Sequence, residues 1–315
     1  MKFGELRLTT TSLLFLFATS AINGFTNSDE NNLSQSQEEE LTIVGGASAN
    51  DDYNCGLSNM GLPGRRVLHG RDTIDGDWPW VVFLNPGCTG SIISNKHILS
   101  AAHCAFNISD ISVIAGASNI SSHSKERQRI PVAKIFIHPL YDYHDFTSPD
   151  VAVYELANEL KFGRAVRKIC LPRRFKESYG QIAFIVGWGA DTRTDDTKKS
   201  FISQEAAIPL NPPKRCVNQF RNLTEVLEFD RKQFLCGGGT FRGTEIGDSG
   251  GPLMLNVKGR WFQVGLTSFG EMGKTEPNGY YYDVGAYTRI AENCPWIAEM
   301  TAHNVKCLDM KDSSF

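Results

Sequence analysis

Short runs rich in β-branched and aromatic residues recur between turn-forming residues from about Trp78 onward. Many short strands at this spacing indicate a β-sandwich or a β-barrel. Representative runs cover residues 80–84, 111–114, 130–137, 151–154, 183–186, 252–257 and 261–268. Residues 291–305 alone have helical spacing, with Pro295 suited to a first turn. The pattern therefore predicts an all-β chain that ends in a helix.

The amino terminus has the order of a secretory signal peptide. Lys2 and Arg7 precede the apolar run 13–18, and small residues then continue to Ala21. This run is too short to span a bilayer, so we assign residues 1–21 to a signal peptide, with an uncleaved anchor as the alternative. Residues 27–40 are rich in Asn, Ser, Gln and Glu and are expected to be disordered. We expect a secreted, extracellular protein with no membrane partner.

The composition fits an oxidising compartment. An even number of cysteines, eight, predicts disulfides rather than metal ligands or redox thiols, and no CxxC pair occurs. Acceptor tripeptides for N-glycosylation occur at Asn32, Asn107, Asn119 and Asn222. The 315 residues, 41% of them apolar, allow one large or two small domains, and a net charge of −3 does not favour nucleic acid as a partner.

Three segments carry side chains that could act together in catalysis, although each has a plainer interpretation alone. They are residues 99–104 around His103, residues 148–154 around Asp150 and residues 243–253 around Ser249. Alone, His103 indicates a structural histidine and Asp150 a cap at a strand end. Together, an imidazole held by a carboxylate can take the proton of a serine hydroxyl and so make it a nucleophile. The amides of Gly247 and Ser249 could then stabilise the developing oxyanion.

The motifs of these segments resemble those of the chymotrypsin-fold serine proteases. In family order they are AAHC around His103, DVAVYEL from Asp150, GWG at 187–189, GDSGGPL around Ser249 and SFG at 268–270. The resemblance extends over roughly residues 67 to 303. It implies an all-β fold of two six-stranded antiparallel Greek-key barrels packed together, with a C-terminal helix.

The same resemblance implies a role for each matching residue. His103 would act as general base and then as general acid, Asp150 would orient it, and Ser249 would form an acyl-enzyme with a polypeptide substrate. Ser268 would lie behind Asp150. The residues expected to offer an edge to the substrate backbone are Ser268, Phe269 and Gly270.

A catalytically weak homologue that serves as a binding module is the alternative to an active protease. Such proteins usually lose a member of the triad, and this chain retains all three residues. The mechanism needs no cofactor. Residues 116–121, which correspond to a calcium loop in relatives, contain no carboxylate, so no metal is expected either.

Proteases of this family are made as zymogens, and the resemblance predicts an activating cut after Arg66. The new amino group, on Val67, would pair with Asp248, the acid that precedes the nucleophile. Residues 22–66 then form a propeptide or light chain, and residues 67–315 form the protease domain. An activating protease and a protein inhibitor are the expected protein partners.

A second candidate start for the mature chain is the sequence Ile-Val-Gly-Gly at residues 43–46, which resembles the family's usual start but follows Thr42. The spacing to the histidine motif decides between the two. His103 lies 36 residues after Val67, as in the family, whereas it lies 60 residues after Ile43. We therefore take Val67 as the start.

The resemblance also assigns the cysteines. The expected pairs are Cys55–Cys170, Cys88–Cys104, Cys216–Cys236 and, for the two cysteines left over, Cys294–Cys307. The first pair would tether the light chain after activation. Most relatives have another cysteine four residues before the nucleophile, where this chain has Glu245 and no partner cysteine. Glu245 and Lys274 could form an exposed ion pair there, worth about 0 to 1 kcal/mol.

The primary specificity pocket is expected to be a wide and neutral slot. Its base lies six residues before the nucleophile at Gly243, where trypsin-like relatives have aspartate, and Gly270 and Gly285 leave its walls open. Such a slot favours an aromatic or large apolar side chain through apolar burial. The alternatives are a small aliphatic side chain, no simple preference, or a basic side chain bound by Asp283 or Glu245.

A neutral pocket base also bears on activation. Cleavage after Arg66 requires a pocket that stabilises a guanidinium, and a neutral pocket would desolvate this charge without offering a partner. We therefore expect that the zymogen does not activate itself efficiently.

Overall fold

The computed structural model describes residues 54–59, 70–105, 110–145, 147–190, 201–220, 230–240, 242–275 and 281–310. Outside this part lie the predicted signal peptide, the segment 27–40 that was expected to be disordered, and the predicted activation site Arg66–Val67. So do three of the predicted glycosylation sites, Asn32, Asn107 and Asn222, and the side chain of Lys274.

Six antiparallel strands of the amino-terminal half close into a barrel. They are β2 (Val81–Asn85), β3 (Cys88–Ile92), β4 (His97–Ser100), β5 (Ser112–Ala115), β6 (Gln128–Ile137) and β7 (Ala152–Leu156). Their order around the barrel is β2-β3-β4-β7-β6-β5, so the chain leaves β4 and returns to it only through β7. In the register of this pair, Ser100 at the end of β4 lies opposite Ala152 at the start of β7. The segments beyond these two residues therefore meet at one end of the barrel.

The carboxyl-terminal half forms a second barrel of six antiparallel strands. They are β9 (Ile182–Gly187), β10 (Gln204–Asn211), β11 (Phe234–Gly237), β12 (Pro252–Val257), β13 (Arg260–Thr275) and β14 (Tyr281–Arg289). The order is β10-β11-β14-β13-β12-β9, and pairing of β9 with β10 closes the ring. A short strand β1 (Arg71–Asp72) extends this sheet beside β10. The predicted all-β fold of two six-stranded barrels is confirmed.

Smaller elements complete the described part of the chain. β8 (Leu171–Pro172) pairs in parallel with β15 (Cys307–Leu308). The predicted carboxyl-terminal helix is α2 (Ile290–Met300), and a second helix, α1 (Pro213–Phe220), was not predicted. With eight residues, α1 is too short to show a clear helical period. Neither helix is long and apolar enough to cross a membrane.

A cluster of aromatic side chains joins the two barrels. Trp78 and Trp80, which lead into the first barrel, pack on Trp261 of β13, with ring centroids 4.7 and 6.5 Å away. Phe184 of β9 packs on Trp261 from the second barrel at 5.3 Å, and Trp80 Nε1 donates to Met254 Sδ of β12 at 3.0 Å. Each buried aromatic ring removes about 150–250 Å² from water, so this contact holds the barrels in a fixed relation.

All four expected disulfides are present in the structure, and no described cysteine is free. Cys55–Cys170 connects residues 115 positions apart. Cys88–Cys104 joins β3 to the segment after β4, and Cys216–Cys236 joins α1 to β11. The pair that departs from the family pattern, Cys294–Cys307, joins α2 to β15.

We predict that removing this last bridge lowers the free energy of unfolding by about 3 kcal/mol, because a cross-link over a loop of this size restricts the unfolded chain by that amount. The variant is Cys294→Ala with Cys307→Ala, since both sites are buried and alanine adds no polar group. Guanidinium unfolding followed by tryptophan fluorescence, with the wild type in parallel, measures the difference. Identical midpoints and slopes would contradict the prediction.

Candidate active site

His103 and Asp150 meet at the end of the first barrel where β4 and β7 pair. His103 begins a single 3₁₀ turn, His103–Ala105, and Asp150 lies two residues before β7. The imidazole Nδ1 lies 2.7 Å from Asp150 Oδ2, and the backbone N–H of His103 donates to Asp150 Oδ1 at 3.0 Å. Because an ionised carboxylate only accepts, Nδ1 carries the proton and Nε2 is left as the acceptor.

The second barrel holds Asp150 from the other side. Ser268 Oγ donates to Asp150 Oδ2 at 2.7 Å, and Thr288 Oγ1 donates to the Asp150 carbonyl at 3.1 Å. Burial raises the pKa of Asp150, but the hydrogen bonds from His103 and Ser268 and the nearby imidazole lower it further, so the net pKa lies below its usual value. The carboxylate therefore stays ionised although the residue is only 6% exposed.

The pKa of His103 is shifted in the opposite direction. Burial lowers the pKa of the imidazole, whereas the hydrogen bond and the negative charge of Asp150 raise it, and the net pKa lies above 6.5. The pair therefore favours the imidazolium that forms when His103 takes a proton.

Ser249 lies in the tight loop before β12, against the end of β4. Its carbonyl accepts a hydrogen bond from the backbone N–H of Thr89 at 2.9 Å. Gly250 has a φ of +79°, and a Cβ there would overlap Ser100 Oγ at the end of β4. Only glycine allows this close approach, which brings Ser249 beside the segment that carries His103. Within the described residues the Ser249 hydroxyl makes no hydrogen bond, and catalytic contacts of this kind often tighten only when substrate binds.

Two backbone amides at the predicted oxyanion site have no partner among the described residues. Gly247 has a φ of +113°, and its carbonyl accepts a hydrogen bond from Thr89 Oγ1 at 2.9 Å. This orientation leaves the N–H of Gly247 and the N–H of Ser249 without an acceptor in the described structure. Paired amides of this kind can stabilise an oxyanion at a reacting carbonyl.

Asp248 lies against the Gly187–Gly189 segment. Its carboxylate accepts the backbone N–H of Gly189 at 2.8 Å and that of Glu245 at 2.9 Å. A Cβ on Gly187 or Gly189 would overlap the Asp248 carboxylate, which explains both glycines. Burial raises the pKa of Asp248 to about 6, although the two amide hydrogen bonds oppose this shift. Its predicted partner, the amino group of Val67, lies outside the described residues.

An acid lies at the predicted base of the specificity pocket. A Cβ built on Gly243 would coincide with the carboxylate of Asp283, which reaches this place from β14. This position of Asp283 favours the alternative of a basic side chain over the neutral slot, and the side chain that the pocket prefers stays a prediction. The sequence contained one signal that Asp283 faces the pocket. It stands two residues before Gly285, and residues at that spacing face the same side of a sheet.

The other predicted pocket residues lie where the strands β13 and β14 pair. Gly270 lies opposite Gly285, and a Cβ on Gly270 would meet nothing closer than the Val284 carbonyl at 3.4 Å. The register shifts between Thr267 and Phe269, and this irregularity lies at Ser268, whose hydroxyl reaches Asp150.

A cleft of about 550 Å³ opens beside His103 and Asp150. Its lining residues are His103, Tyr141, Asp142, Tyr143, His144, Asp145, Ser148, Asp150, Ser268 and Phe269. An open cleft of this size beside His103 has room for several residues of an extended peptide. His103 also lies close to Cys88 and Cys104 at distances suited to a metal, but both sulfurs are bonded to each other and offer no thiolate.

Asn119, the one predicted glycosylation site within the described residues, lies in a turn. Its side-chain Oδ1 accepts the backbone N–H of Ser121 at 2.9 Å. Its glycosylation stays a prediction.

Comparison with known proteins agrees with this geometry. The trypsin family matches residues 67–297 of the chain. Ovochymase of Halocynthia roretzi is 32% identical over 272 residues, which cover 80% of this chain. The chain spans only 16% of the length of that protein.

We predict that Asp150→Asn lowers the pKa of His103, because the upward contributions of the carboxylate are lost and the effect of burial remains. The imidazole resonances of His103, followed by NMR against pH, measure this shift. Asp145→Asn, which changes an exposed acid of the neighbouring loop, serves as the matched control. An unchanged titration of His103 in Asp150→Asn would contradict the assigned role of Asp150.

Proposed function

The chain belongs to the trypsin family of serine proteases, and on that premise we propose that it is an endopeptidase that hydrolyses peptide bonds through an acyl-enzyme on Ser249. The observation that carries this proposal is the bonded series from His103 Nδ1 to Asp150 and from Asp150 to Ser268. The two amides without acceptors beside Ser249 complete the set of groups that acyl transfer requires.

In the proposed mechanism, Ser249 Oγ attacks the carbonyl carbon of the scissile bond and its proton passes to His103 Nε2. The amides of Gly247 and Ser249 donate to the oxyanion, and Asp150 stabilises the imidazolium. The imidazolium then gives its proton to the leaving amine as the carbon–nitrogen bond breaks. Water, deprotonated by His103, attacks the acyl-enzyme and releases the acid and Ser249.

The proposal includes activation by cleavage between Arg66 and Val67. The raised pKa of Asp248 supports it, because burial disfavours an isolated carboxylate at this place and an amino group beside it would stabilise the ionised form. Pairing would hold Asp248, and therefore the amides of Gly247 and Ser249 on either side, in one conformation. An activating protease and a protein inhibitor are the proposed protein partners.

We also propose that the protein is secreted as a glycoprotein. The amino-terminal sequence supports a cleaved signal, and four disulfides are typical of an oxidising compartment. N-terminal sequencing and glycosidase treatment of protein collected from culture medium test this part. Retention of residues 1–21 on a cell-associated protein would support the uncleaved anchor instead.

For the activated protein, we predict that Ser249→Ala lowers kcat on the order of 10⁶-fold, because no other group forms the acyl-enzyme. A fluorophosphonate probe should label wild-type protein at Ser249 and should leave the variant unlabelled. Ser122→Ala, which removes a hydroxyl bonded to Asn119 in a surface turn, is the matched control and should label normally. If correctly cleaved wild-type protein neither labels nor hydrolyses a broad peptide library, the binding-module alternative applies.

We predict that the segment before Arg66 stays attached after activation. Cys55 is bonded to Cys170, and Arg260 Nη1 donates to the Cys55 carbonyl at 2.9 Å, so both a covalent bond and buried contacts hold it. On a denaturing gel the activated protein should run as one species without reductant and as two chains with it. Two separate chains without reductant would contradict the tether.

A further inference from the structure

Asp283, a buried acid that does not belong to the proposed catalytic triad, lies at the predicted base of the specificity pocket. Asp283 of β14 is 5% exposed, and its carboxylate occupies the place where a side chain at position 243 would begin. The glycine at 243 and the aspartate at 283 therefore fit one another, because any larger residue at 243 would displace this carboxylate.

Backbone contacts fix the main chain at Asp283. The N–H of Asp283 donates to the Gly239 carbonyl at 3.1 Å. Gly238, with a φ of +139°, packs so closely that a Cβ there would overlap the Asp283 carbonyl. These contacts fix the main chain from which the Asp283 side chain extends to Gly243.

The charge of Asp283 is not compensated within the described side chains. Burial, and to a smaller extent the acids Glu245 and Asp248 on the nearby nucleophile loop, together raise the pKa of Asp283 to about 7. The phenol of Tyr287 is the other titratable group that faces it, from the same strand. Among the described residues, no cation contributes to this environment. A desolvated acid among other acids is stabilised strongly by a cation that enters the pocket.

From this geometry we propose that Asp283 is the specificity-determining residue of the pocket and selects substrates with arginine or lysine before the cleaved bond. The proposal rests on the proposed protease function. Gly270 leaves one wall open, since a Cβ there would meet nothing closer than 3.4 Å. A Cβ on Gly285, in contrast, would crowd Tyr287 and Thr244. A planar guanidinium can donate two hydrogen bonds to one carboxylate. The expected preference for an aromatic or large apolar side chain is replaced by this one.

A basic preference also changes the expectation for activation. The bond to be cut follows Arg66, so the pocket of an activated molecule would accept Arg66 of a zymogen molecule. Zymogen molecules then become substrates of activated ones, and activation accelerates as product accumulates.

The test compares peptides that differ only before the cleaved bond, where they carry arginine, citrulline or phenylalanine. Citrulline has nearly the shape of arginine but no charge. Zymogen is activated with immobilised trypsin, which is then removed, and active sites are counted with the fluorophosphonate probe. For wild-type protein we expect kcat/KM to be at least about 100-fold higher for arginine than for citrulline, since removing one partner of a desolvated charge pair has effects of this size.

Asp283→Asn should reduce the arginine-to-citrulline ratio to within about threefold of one while probe labelling and cleavage of the citrulline peptide continue, since asparagine keeps the shape and loses the charge. Asp72→Asn makes the same change at an exposed site and should keep the wild-type ratio. Glu245→Gln should also keep most of the wild-type arginine-to-citrulline ratio. Loss of the ratio in Glu245→Gln but not in Asp283→Asn would overturn the assignment.

A second measurement needs no variant. The wild-type ratio should fall at acidic pH, because Asp283 becomes protonated, and it should rise to a plateau once the pH exceeds the raised pKa of Asp283. Both peptides depend equally on His103, so its titration cancels in the ratio. A wild-type ratio near one across this range, in protein that labels at Ser249, would overturn the proposal and leave the protease function intact. Wild-type protein that does not label would overturn both.

Self-activation is measured with Ser249→Ala zymogen as the substrate, since this variant cannot cut itself. Activated wild-type protein should release a chain that begins at Val67, and activated Asp283→Asn protein at the same number of labelled active sites should release it at least about tenfold more slowly. Equal rates for the two enzymes would contradict the role of Asp283.

Discussion

The buried carboxylate of Asp150 is the interaction on which the rest of the site depends. The first barrel supplies the ring and the backbone N–H of His103, and the second supplies Ser268 and Thr288. Four groups from two barrels thus converge on one residue. An ionised acid with so little exposure is stable only while these donors remain in place, so the site requires the aromatic contact of Trp78, Trp80 and Trp261 that fixes the barrels.

The sequence predicted those parts of the fold that depend on residues close to one another in the chain. The strands were predicted from runs of β-branched residues between turn-forming residues. The loops around His103, Asp150 and Ser249 were recognised because each contains a distinct motif. The close approach of Gly250 to the end of β4 explains why such a glycine-rich loop is retained despite its entropy. The helix α1 was missed because its eight residues give little periodicity, and tertiary contacts and Cys216 hold it instead.

The pocket could not be read in the same way, because its base is formed by two segments 40 residues apart. Gly243 alone indicates an absence of charge at its own position, and it says nothing of a side chain that arrives from another strand. The strand period places Asp283 on the same face as Gly285, but only the structure shows that its carboxylate reaches Gly243. A glycine at a pocket position therefore indicates only that space is available there. Which side chain fills this space depends on how the strands pair, and the sequence alone does not give that pairing.

The two acids with raised pKa values connect activation to the pocket. Asp248 contributes to the raised pKa of Asp283, so the charge state of one acid affects the other. In the proposed active form the amino group of Val67 neutralises Asp248, which removes part of the repulsion on Asp283 and lowers its pKa. The carboxylate at the base of the pocket would then be more fully ionised at neutral pH after cleavage than before it. Activation would in this way order the oxyanion amides and strengthen the charge that binds a basic side chain, through the same new amino group.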